Sequence, residues 1–359
     1  MASAAGSLYR LSKLAAPLVL PAVAYGAYKG NVAAAIEAFF TGPGRTSRIV
    51  ALVVVLVNWK SLPLAWTFRI FNAMISHFLV RPFHDYTPDQ LFQPVVTESH
   101  VTLLEVDYNI HKSNSTYFAD LDVSRSHLVA HLLARGCHAL SRNAVTKLVL
   151  EPPRSREKQE EKEEKREGEE RRPAKGKFNI MLGGVQCSFK KEIKPYGRYE
   201  IWSRILSWDR KWMYIVTHFV EKGAAVANKS GSDKNNNNWE KRIHASAVSK
   251  YVFKMGRLTV HPAIVIEASG LLPERPGGWV RADDDEDDSA SSFAQPLDDD
   301  GGAPQADNAE SAAAEWDWKR TEEERRKGLE YAQHFASLDE LLTQFEPGGK
   351  GILGKFGPG

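Results

Sequence analysis

Residues Glu105 to Arg125 read EVDYNIHKSNSTYFADLDVSR, and this stretch decides the predicted fold. It follows the apolar run Val101–Val106, which predicts a strand. Ser, Asn and Thr then form a polar corner. Beyond it, apolar residues recur every three or four positions, which predicts a helix from about Ser115 to Arg135 with Gly136 as its stop. The order is therefore strand, polar corner, helix.

The polar corner has the groups that acyl transfer to water requires. Asp107 and His111 bring a carboxylate and an imidazole to a helix start, where backbone N–H groups near Asn114 and Ser115 lack intrahelical partners. Such donors stabilise charge developing on a substrate carbonyl oxygen by about 3 to 4 kcal/mol each. Asp107 would then act as a general base on water or attack the carbonyl itself. Without a functional role, the same residues would be an ordinary turn and ordinary helix caps.

Seven residues of the corner and the helix match the spacing of a recurring family pattern. They are Asp107, Asn109, His111, Asn114, Tyr117, Asp120 and Arg125. In this the segment resembles the hot-dog-fold acyl thioesterases, the superfamily of the 4-hydroxybenzoyl-CoA and plant acyl-carrier-protein thioesterases. It is similar above all to a membrane-anchored animal and fungal branch, which includes thioesterases of lipopeptide and polyketide gene clusters. Two positions depart from the pattern: Ile110, where Gly is frequent, and Ser113, where the first of two Asn residues is expected.

The resemblance implies a role for each matched residue of the corner. Asp107 would be the base or nucleophile, and Asn109 and His111 would orient water or polarise the thioester. Asn114 and Ser115, at the helix start, would hold the carbonyl oxygen. The resemblance further implies an acyl group carried by coenzyme A or by the phosphopantetheine arm of a carrier protein, no metal or redox cofactor, and a homodimer with the site at the subunit interface.

Other polar residues of the predicted helix are weaker candidates. Tyr117 and Asp120 come second, because in the resembling enzymes an acidic residue near this position helps to place water or the loop. A solvated or capping carboxylate is an equally good interpretation of Asp120. His127, His131 and His138 have no further ligand motif beside them, so the sequence predicts ordinary polar histidines and no metal.

Downstream segments alternate apolar and polar residues, as antiparallel strands do. They are Phe178–Lys191, Tyr199–Trp208 and Met213–Val220, with further strands near Lys250–Phe253 and Leu258–Glu267. Residues 208–211 predict a turn between the second and third of these. Together with the helix they predict an α+β fold, the hot-dog arrangement in which an antiparallel sheet wraps around a central helix.

The N-terminal eighty residues are apolar and differ in kind from the rest. Ile49–Phe68 has the length of a bilayer span, about 20 residues. It contains Lys60, however, and an ammonium at mid-membrane costs about 2.5 to 3.5 kcal/mol. Three interpretations stay open: one or two spans, an interfacial helix or hairpin with Lys60 snorkelling to water and Trp59 and Trp66 at headgroup level, and a helical hairpin buried against the catalytic domain.

The start of the chain also indicates a location. It is poor in acidic residues, as a mitochondrial transit peptide or a signal anchor is. We therefore expect association with an intracellular membrane, that of the endoplasmic reticulum or the mitochondrion.

Composition narrows the function classes. With 47 Lys and Arg against 45 Asp and Glu, the net charge of +2 gives no reason to expect nucleic acid as a partner. Cys137 and Cys187 are the two cysteines of the chain, which fits a reducing compartment and provides neither a disulfide framework nor a zinc motif.

The sequence predicts five regions. They are a hydrophobic membrane-associated region 1–80, a connector 81–98, the hot-dog domain 99–270, an acidic disordered linker 271–309 and a C-terminal amphipathic helix 310–345. Within the domain, 152–177 is a charged insertion and 222–245 a polar loop. The C-terminal helix carries Trp316 and Trp318, and we expect it to dock on the domain.

Three functions follow from these observations. The first is hydrolysis of an acyl thioester, in fungal lipid or secondary-metabolite biosynthesis. The second is an enoyl-thioester hydratase on the same fold, whose Asp and His are five residues apart, whereas Asp107 and His111 are four apart. The third is a non-catalytic acyl-binding membrane scaffold, against which the intact Asp, Asn and His argue.

Overall fold

A computed structural model of the chain describes residues 30–151, 172–224, 239–280 and 316–343. Most of the predicted charged insertion 152–177, the middle of the polar loop 222–245 and most of the linker 271–309 lie outside these residues, as do residues 1–29.

A curled antiparallel sheet forms the body of the molecule. Its strands are β1 (Val95–His100), β2 (Phe178–Phe189), β3 (Arg198–Trp208), β4 (Trp212–Glu221), β5 (Ile243–Met255) and β6 (Leu258–Val260). They lie in the order β1-β3-β4-β5-β2, and β6 pairs with β5. The strands predicted by alternation at β2, β3 and β4 are confirmed. The turn between β3 and β4 is confirmed too, and the Asp209 carboxylate forms it by accepting from the amides of Lys211 at 2.7 Å and Trp212 at 2.6 Å.

The sheet wraps around one long helix, α4 (Thr116–Leu132). Its apolar side chains, such as Leu121 and Leu128, are buried between the helix and the strands. The helix ends at Leu132 and is followed by α5 (Ala134–Ser141) and α6 (Asn143–Thr146). The predicted stop at Gly136 is therefore wrong. Glycine stands there because a Cβ would lie 2.2 Å from the Val265 carbonyl oxygen.

Two strand predictions are wrong for local reasons. The first strand is β1, upstream of the predicted Val101–Val106, where the chain instead forms a 3-10 turn, Leu103–Glu105, closed by a capping box between Thr102 and Glu105. The predicted strand Leu258–Glu267 stops at Val260. Helix α7 (Pro262–Glu267) follows, because a proline occupies its first turn and His261 accepts from the Ala263 amide.

Three helices precede the sheet: α1 (Val32–Thr41), α2 (Arg45–Val57) and α3 (Ala65–Ile75). Among the described residues no single helix has the length and apolar character to cross a membrane, whereas α1 and α2, bent by 104°, meet that test as a pair. Neither α1 nor α2 has a buried residue. Helix α3 differs, since it packs on α4 with Ala73 and Met74 buried.

The predicted apolar segment Ile49–Phe68 is not continuous. It breaks after α2 into a 3-10 turn, Trp59–Ser61, and Lys60 in that turn is buried. The interpretation that Lys60 snorkels to water is therefore wrong, because the ammonium finds carboxylate partners inside the protein instead.

Helix α8 (Trp318–Ala336) lies on the sheet beside β3. Leu329, Ala332 and Phe335 of the helix pack on Leu206 and Tyr214. The backbones come so close that a Cβ at Gly328 would lie 2.1 Å from the Leu206 carbonyl oxygen.

Candidate active site

The polar corner is a tight turn between two short paired segments. Val106 and Lys112 pair across it, the Asp107 amide donates to the His111 carbonyl oxygen at 3.0 Å, and the Ile110 amide donates to the Asp107 carbonyl oxygen at 3.0 Å. Ile110 has φ +62°, in the left-handed region that favours glycine. We call residues 107–111 the 107–111 turn. Its left-handed residue stands where the resembling family often has Gly.

The turn brings the predicted carboxylate and imidazole together. His111 Nδ1 lies 3.5 Å from Asp107 Oδ1, and His111 Nε2 lies 3.7 Å from the Glu192 carboxylate. The His111 side chain is 18% exposed and the Asp107 side chain is 21% exposed, so both are partly buried but still accessible. Asp107 Oδ1 also accepts from the Asn109 amide at 2.9 Å, an Asx turn that fixes the carboxylate. Asn109 itself is exposed.

A pocket of about 220 Å³ opens beside the turn. It is lined by His111, Lys112, Asn114, Tyr117, Phe189, Lys190, Lys191 and Glu192. Asp107, Asn109 and Ser115 are not among its lining residues, so of the three predicted catalytic residues His111 reaches the pocket and connects Asp107 to it. The end of β2 forms the far wall of the pocket. Phe189 in this wall was not predicted as a site residue, because no local sequence pattern connects it with the 107–111 turn.

The start of α4 supplies donors at the same pocket. The amides of Thr116 and Tyr117 bond to the carbonyls of Ser113 and Asn114, at 3.0 and 3.4 Å. The amides of Asn114 and Ser115 bond to no other group in the described part of the chain. Both residues are exposed. The helix start thus offers two N–H donors.

Tyr117 lies behind the pocket as a buried aromatic wall. Its ring meets the rings of Phe189 and Phe219 edge-on, at centroid distances of 5.0 and 4.8 Å. Burial raises the pKa of its hydroxyl well above the usual range. Arg125, two turns further along α4, is also buried and donates to Ser249 and Asp122.

Asp120 is neither solvated nor a cap, because its side chain is fully buried. It accepts from Lys112 Nζ at 3.0 Å, Lys60 Nζ at 3.1 Å and Arg69 Nη2 at 3.0 Å. Burial alone would raise its pKa, but these three cations hold the pKa well below its usual range. Asp120 also accepts a hydrogen bond from the Tyr199 hydroxyl, whose pKa is raised by burial and by this carboxylate.

Glu105 is the second anion of the same cluster. Lys60 Nζ lies 2.9 Å and Lys112 Nζ 3.2 Å from its carboxylate. We call Lys60, Arg69, Glu105, Lys112 and Asp120 the ion cluster. Its five members are not neighbours in the sequence. The one local sign of the cluster in the sequence was Lys60, a lysine inside an apolar run.

Three histidines form another cluster where α3 meets α4. His77 Nε2 lies 3.1 Å from His127 Nδ1, and His77 Nδ1 lies 3.2 Å from His131 Nδ1. Burial first, and the neighbouring imidazoles next, lower the pKa of His77 to about 4. Both ring nitrogens of His77 therefore face a neighbouring imidazole, and the three rings form a packed contact between the helices.

Comparison with known proteins gives one family match and several relatives. The model of the "Thioesterase-like superfamily" matches residues 101–252. The chain is 36% identical over 334 residues to thioesterase poxG of Penicillium oxalicum, covering 90% of this chain and 93% of the relative. It is 32% identical over 320 residues to thioesterase lcsJ of Purpureocillium lilacinum, covering 82% and 91%. Among solved structures, a 1,4-dihydroxy-2-naphthoyl-CoA thioesterase from Synechocystis aligns with a TM-score of 0.30 at 9% identity, over 49% of this chain and 95% of that one.

Proposed function

Because this chain belongs to the thioesterase-like superfamily, we propose that it hydrolyses an acyl thioester at the 107–111 turn. The observation that carries the proposal is the contact between Asp107 and His111, 3.5 Å apart, with His111 on the wall of a pocket that ends at the start of α4. An imidazole and an amide donor on the pocket wall, with a carboxylate 3.5 Å behind the imidazole, are groups that thioester hydrolysis requires.

The proposed reaction uses these groups in turn. The thioester carbonyl oxygen points at the amides of Asn114 and Ser115, which stabilise the charge that develops on it. Asp107, as general base, removes a proton from water, and the water oxygen bonds to the carbonyl carbon. His111 orients the water or polarises the thioester. The C–S bond then breaks, the acyl group leaves as a carboxylic acid, and the thiolate takes up a proton. Direct attack by Asp107 gives the same products through an anhydride.

The substrate carrier is proposed from the same pocket. Lys190 and Lys191 place two cations at its rim, where a phosphate of coenzyme A or of a phosphopantetheine arm would lie. Tyr117 and Phe189 provide an apolar wall for the acyl group. The pathway, fungal lipid or secondary-metabolite biosynthesis, stays a prediction.

The test measures thiol release from a panel of acyl-CoA substrates. Replacing Asp107 by Asn removes the base or nucleophile and should lower kcat by about 100- to 10,000-fold. The matched control, Asp85→Asn, alters an exposed carboxylate paired with Arg135 and should keep full activity. Equal thiol release by wild type and Asp107→Asn would exclude Asp107 from the chemistry. Loss of enoyl absorbance without thiol release would indicate a hydratase, and neither signal would indicate a scaffold.

We further propose that α1 and α2 attach the protein to an intracellular membrane. Residues 49–57 of α2 are apolar on all sides of the helix, and residues such as Val50 and Leu56 are more than half exposed. Thirteen residues of helix are about 20 Å long, shorter than the hydrocarbon core of about 30 Å, which favours entry into one leaflet. Trp59, 65% exposed, follows the helix and suits the headgroup region.

Flotation with liposomes tests the attachment. Wild-type protein should float with the vesicles, and Leu56→Asp should stay in the soluble fraction. Val145→Asp is the matched control, because Val145 is equally apolar and exposed but lies on α6. Equal flotation of wild type and Leu56→Asp would contradict this proposal and leave the hydrolase proposal untouched.

We also propose a homodimer formed along β2. Within the described residues β2 pairs on one side only, with β5, and this twelve-residue edge exposes Met181, Leu182 and Phe189. Such an edge is a template for a second strand. Since Phe189 also lines the pocket, a dimer there would place the site at the interface. Light scattering should give the mass of two chains for wild type and of one chain for Met181→Lys. A monomeric wild type would refute the dimer.

A further inference from the structure

We propose that Lys60 is a positioning residue of the thioester site, holding the 107–111 turn in its active shape from the N-terminal helical segment. This inference rests on the proposed hydrolase function for the role of the turn. It goes beyond that function because Lys60 lies far upstream of the site in sequence and pairs with Glu105 and Asp120, neither of which lines the pocket.

The two ends of the 107–111 turn are closed by residues that also belong to the ion cluster. Val106 pairs with Lys112, and the Ser113 amide donates to the Glu105 carbonyl oxygen at 2.7 Å. Glu105 therefore stands on the incoming side of the turn and Lys112 on the outgoing side. Both side chains point into the protein, where Lys112 is 1% and Glu105 5% exposed.

Lys60 binds one end of the turn directly and is linked to the other through a shared carboxylate. Its Nζ lies 2.9 Å from the Glu105 carboxylate and 3.1 Å from Asp120 Oδ2, the oxygen that Lys112 Nζ also reaches at 3.0 Å. A further hydrogen bond, 2.7 Å to the His100 carbonyl oxygen, fixes the ammonium. Lys60 thus contacts the incoming side directly and the outgoing side through Asp120.

Neighbours of Lys60 reinforce the same contact. The Leu104 amide donates to Asn58 Oδ1 at 3.0 Å, and the hydroxyls of Ser61 and Thr102 are 2.6 Å apart. Asn58, Lys60 and Ser61 therefore clamp the segment that leads into the turn. Because these bonds are buried or partly buried, water cannot replace them without opening the structure.

Arg69 provides a matched comparison within the ion cluster. Like Lys60 it comes from the N-terminal helical segment and binds Asp120, at 3.0 Å through the other carboxylate oxygen. Unlike Lys60, it makes no bond in the described part of the chain to Glu105 or to another residue at the two ends of the turn. Loss of Arg69 therefore perturbs the same buried carboxylate but leaves the clamp on the turn in place.

The experiment compares Lys60→Met with Arg69→Met in the full-length chain, at a temperature where both are folded by circular dichroism. Lys60→Met should lower kcat by about 10- to 100-fold with little change in KM, because the reacting groups are displaced rather than removed. In hydrogen exchange, the peptide that spans residues 105–113 should exchange faster in Lys60→Met. Arg69→Met should change kcat by less than about threefold and leave that exchange unchanged.

The two readouts separate this inference from the hydrolase proposal. If wild type hydrolyses acyl thioesters but the two variants match in kcat and in exchange, Lys60 has only a structural role and the inference is wrong. If wild type releases no thiol, the hydrolase proposal fails, and faster exchange of the turn in Lys60→Met alone would still show that Lys60 holds the turn. If Lys60→Met does not fold, Asn58→Ala is tested instead, because it removes the hydrogen bond from the Leu104 amide to Asn58 without removing a charge. It should lower kcat several-fold, and unchanged kcat and exchange would overturn the inference.

Discussion

Asp120→Asn tests whether the ion cluster stabilises the fold. The amide has the shape of the carboxylate but carries no charge, so Lys60, Lys112 and Arg69 lose the anion that they share. The side chain is 0% exposed, and solvent does not replace the lost contacts. Removing one partner of a buried ion pair costs about 3 to 5 kcal/mol, and the number of cations here places the expected loss near the upper end.

Urea and thermal unfolding measure this loss. A loss of about 5 kcal/mol should lower Tm by about 10 to 20 °C for a domain of this size. The pKa of Asp120 is held below its ordinary value of 3.8. Above pH 3.8 the carboxylate is charged, and its contribution to the free energy of unfolding is complete. That contribution is lost only as pH falls through the depressed pKa. Titration of the Asp120 carboxylate should therefore add no pH dependence to the difference between wild type and variant from pH 8 to 5.

The control for this prediction is Asp85→Asn. Asp85 pairs with Arg135 on the surface, where its side chain is 85% exposed, and such pairs contribute about 0 to 1 kcal/mol. A loss below about 1 kcal/mol in Asp120→Asn, similar to that of the control, would refute the view that buried ion pairing holds this part of the molecule together.

Three further predictions concern other parts of the fold. Burial lowers the pKa of His77 from 6.5 to about 4, so the unfolded chain binds the proton more readily, and this histidine alone should lower stability by about 2 kcal/mol between pH 7 and pH 5; His77→Leu should reduce the fall measured in urea unfolding by about that amount, and an unchanged fall would contradict this. Ile110→Gly should raise the free energy of unfolding by about 0.5 to 1 kcal/mol, since the residue is exposed and its φ of +62° strains a β-branched side chain; a lower stability would contradict this. Gly328→Ala should lower stability by about 1 to 3 kcal/mol, because its methyl group would meet the Leu206 carbonyl oxygen at 2.1 Å, and unchanged stability would show that α8 is free to shift.

Local pattern was enough to predict β2, β3, β4 and the central helix. The alternation in Tyr199–Trp208 and Met213–Val220, with a turn-forming aspartate between them, predicts the β3–β4 hairpin, in which most residues of both strands are buried. The same method failed at residues 101–106, where Thr102 and Glu105 cap a 3-10 turn. An apolar run has no period that distinguishes a strand from such a turn.

The candidate site was predictable only as far as its residues are neighbours in sequence. Asp107 and His111 meet because a four-residue spacing spans one tight turn. Phe189 and Lys60 were not predictable as parts of the site or its support, since each reaches it through tertiary packing. Sequence periodicity shows which face of a segment is buried, but it carries no information on which distant segment covers that face.

The ion cluster changes where the folding unit can be cut. The sequence places a boundary between residues 80 and 81, and a fragment starting there would keep the whole sheet and α4. It would nevertheless leave Asp120 sealed inside with Lys112 as its one remaining cation among the three described here. A fragment meant for expression, or a domain exchanged between related proteins, must therefore begin no later than Asn58, since the helices before that point have no buried residue.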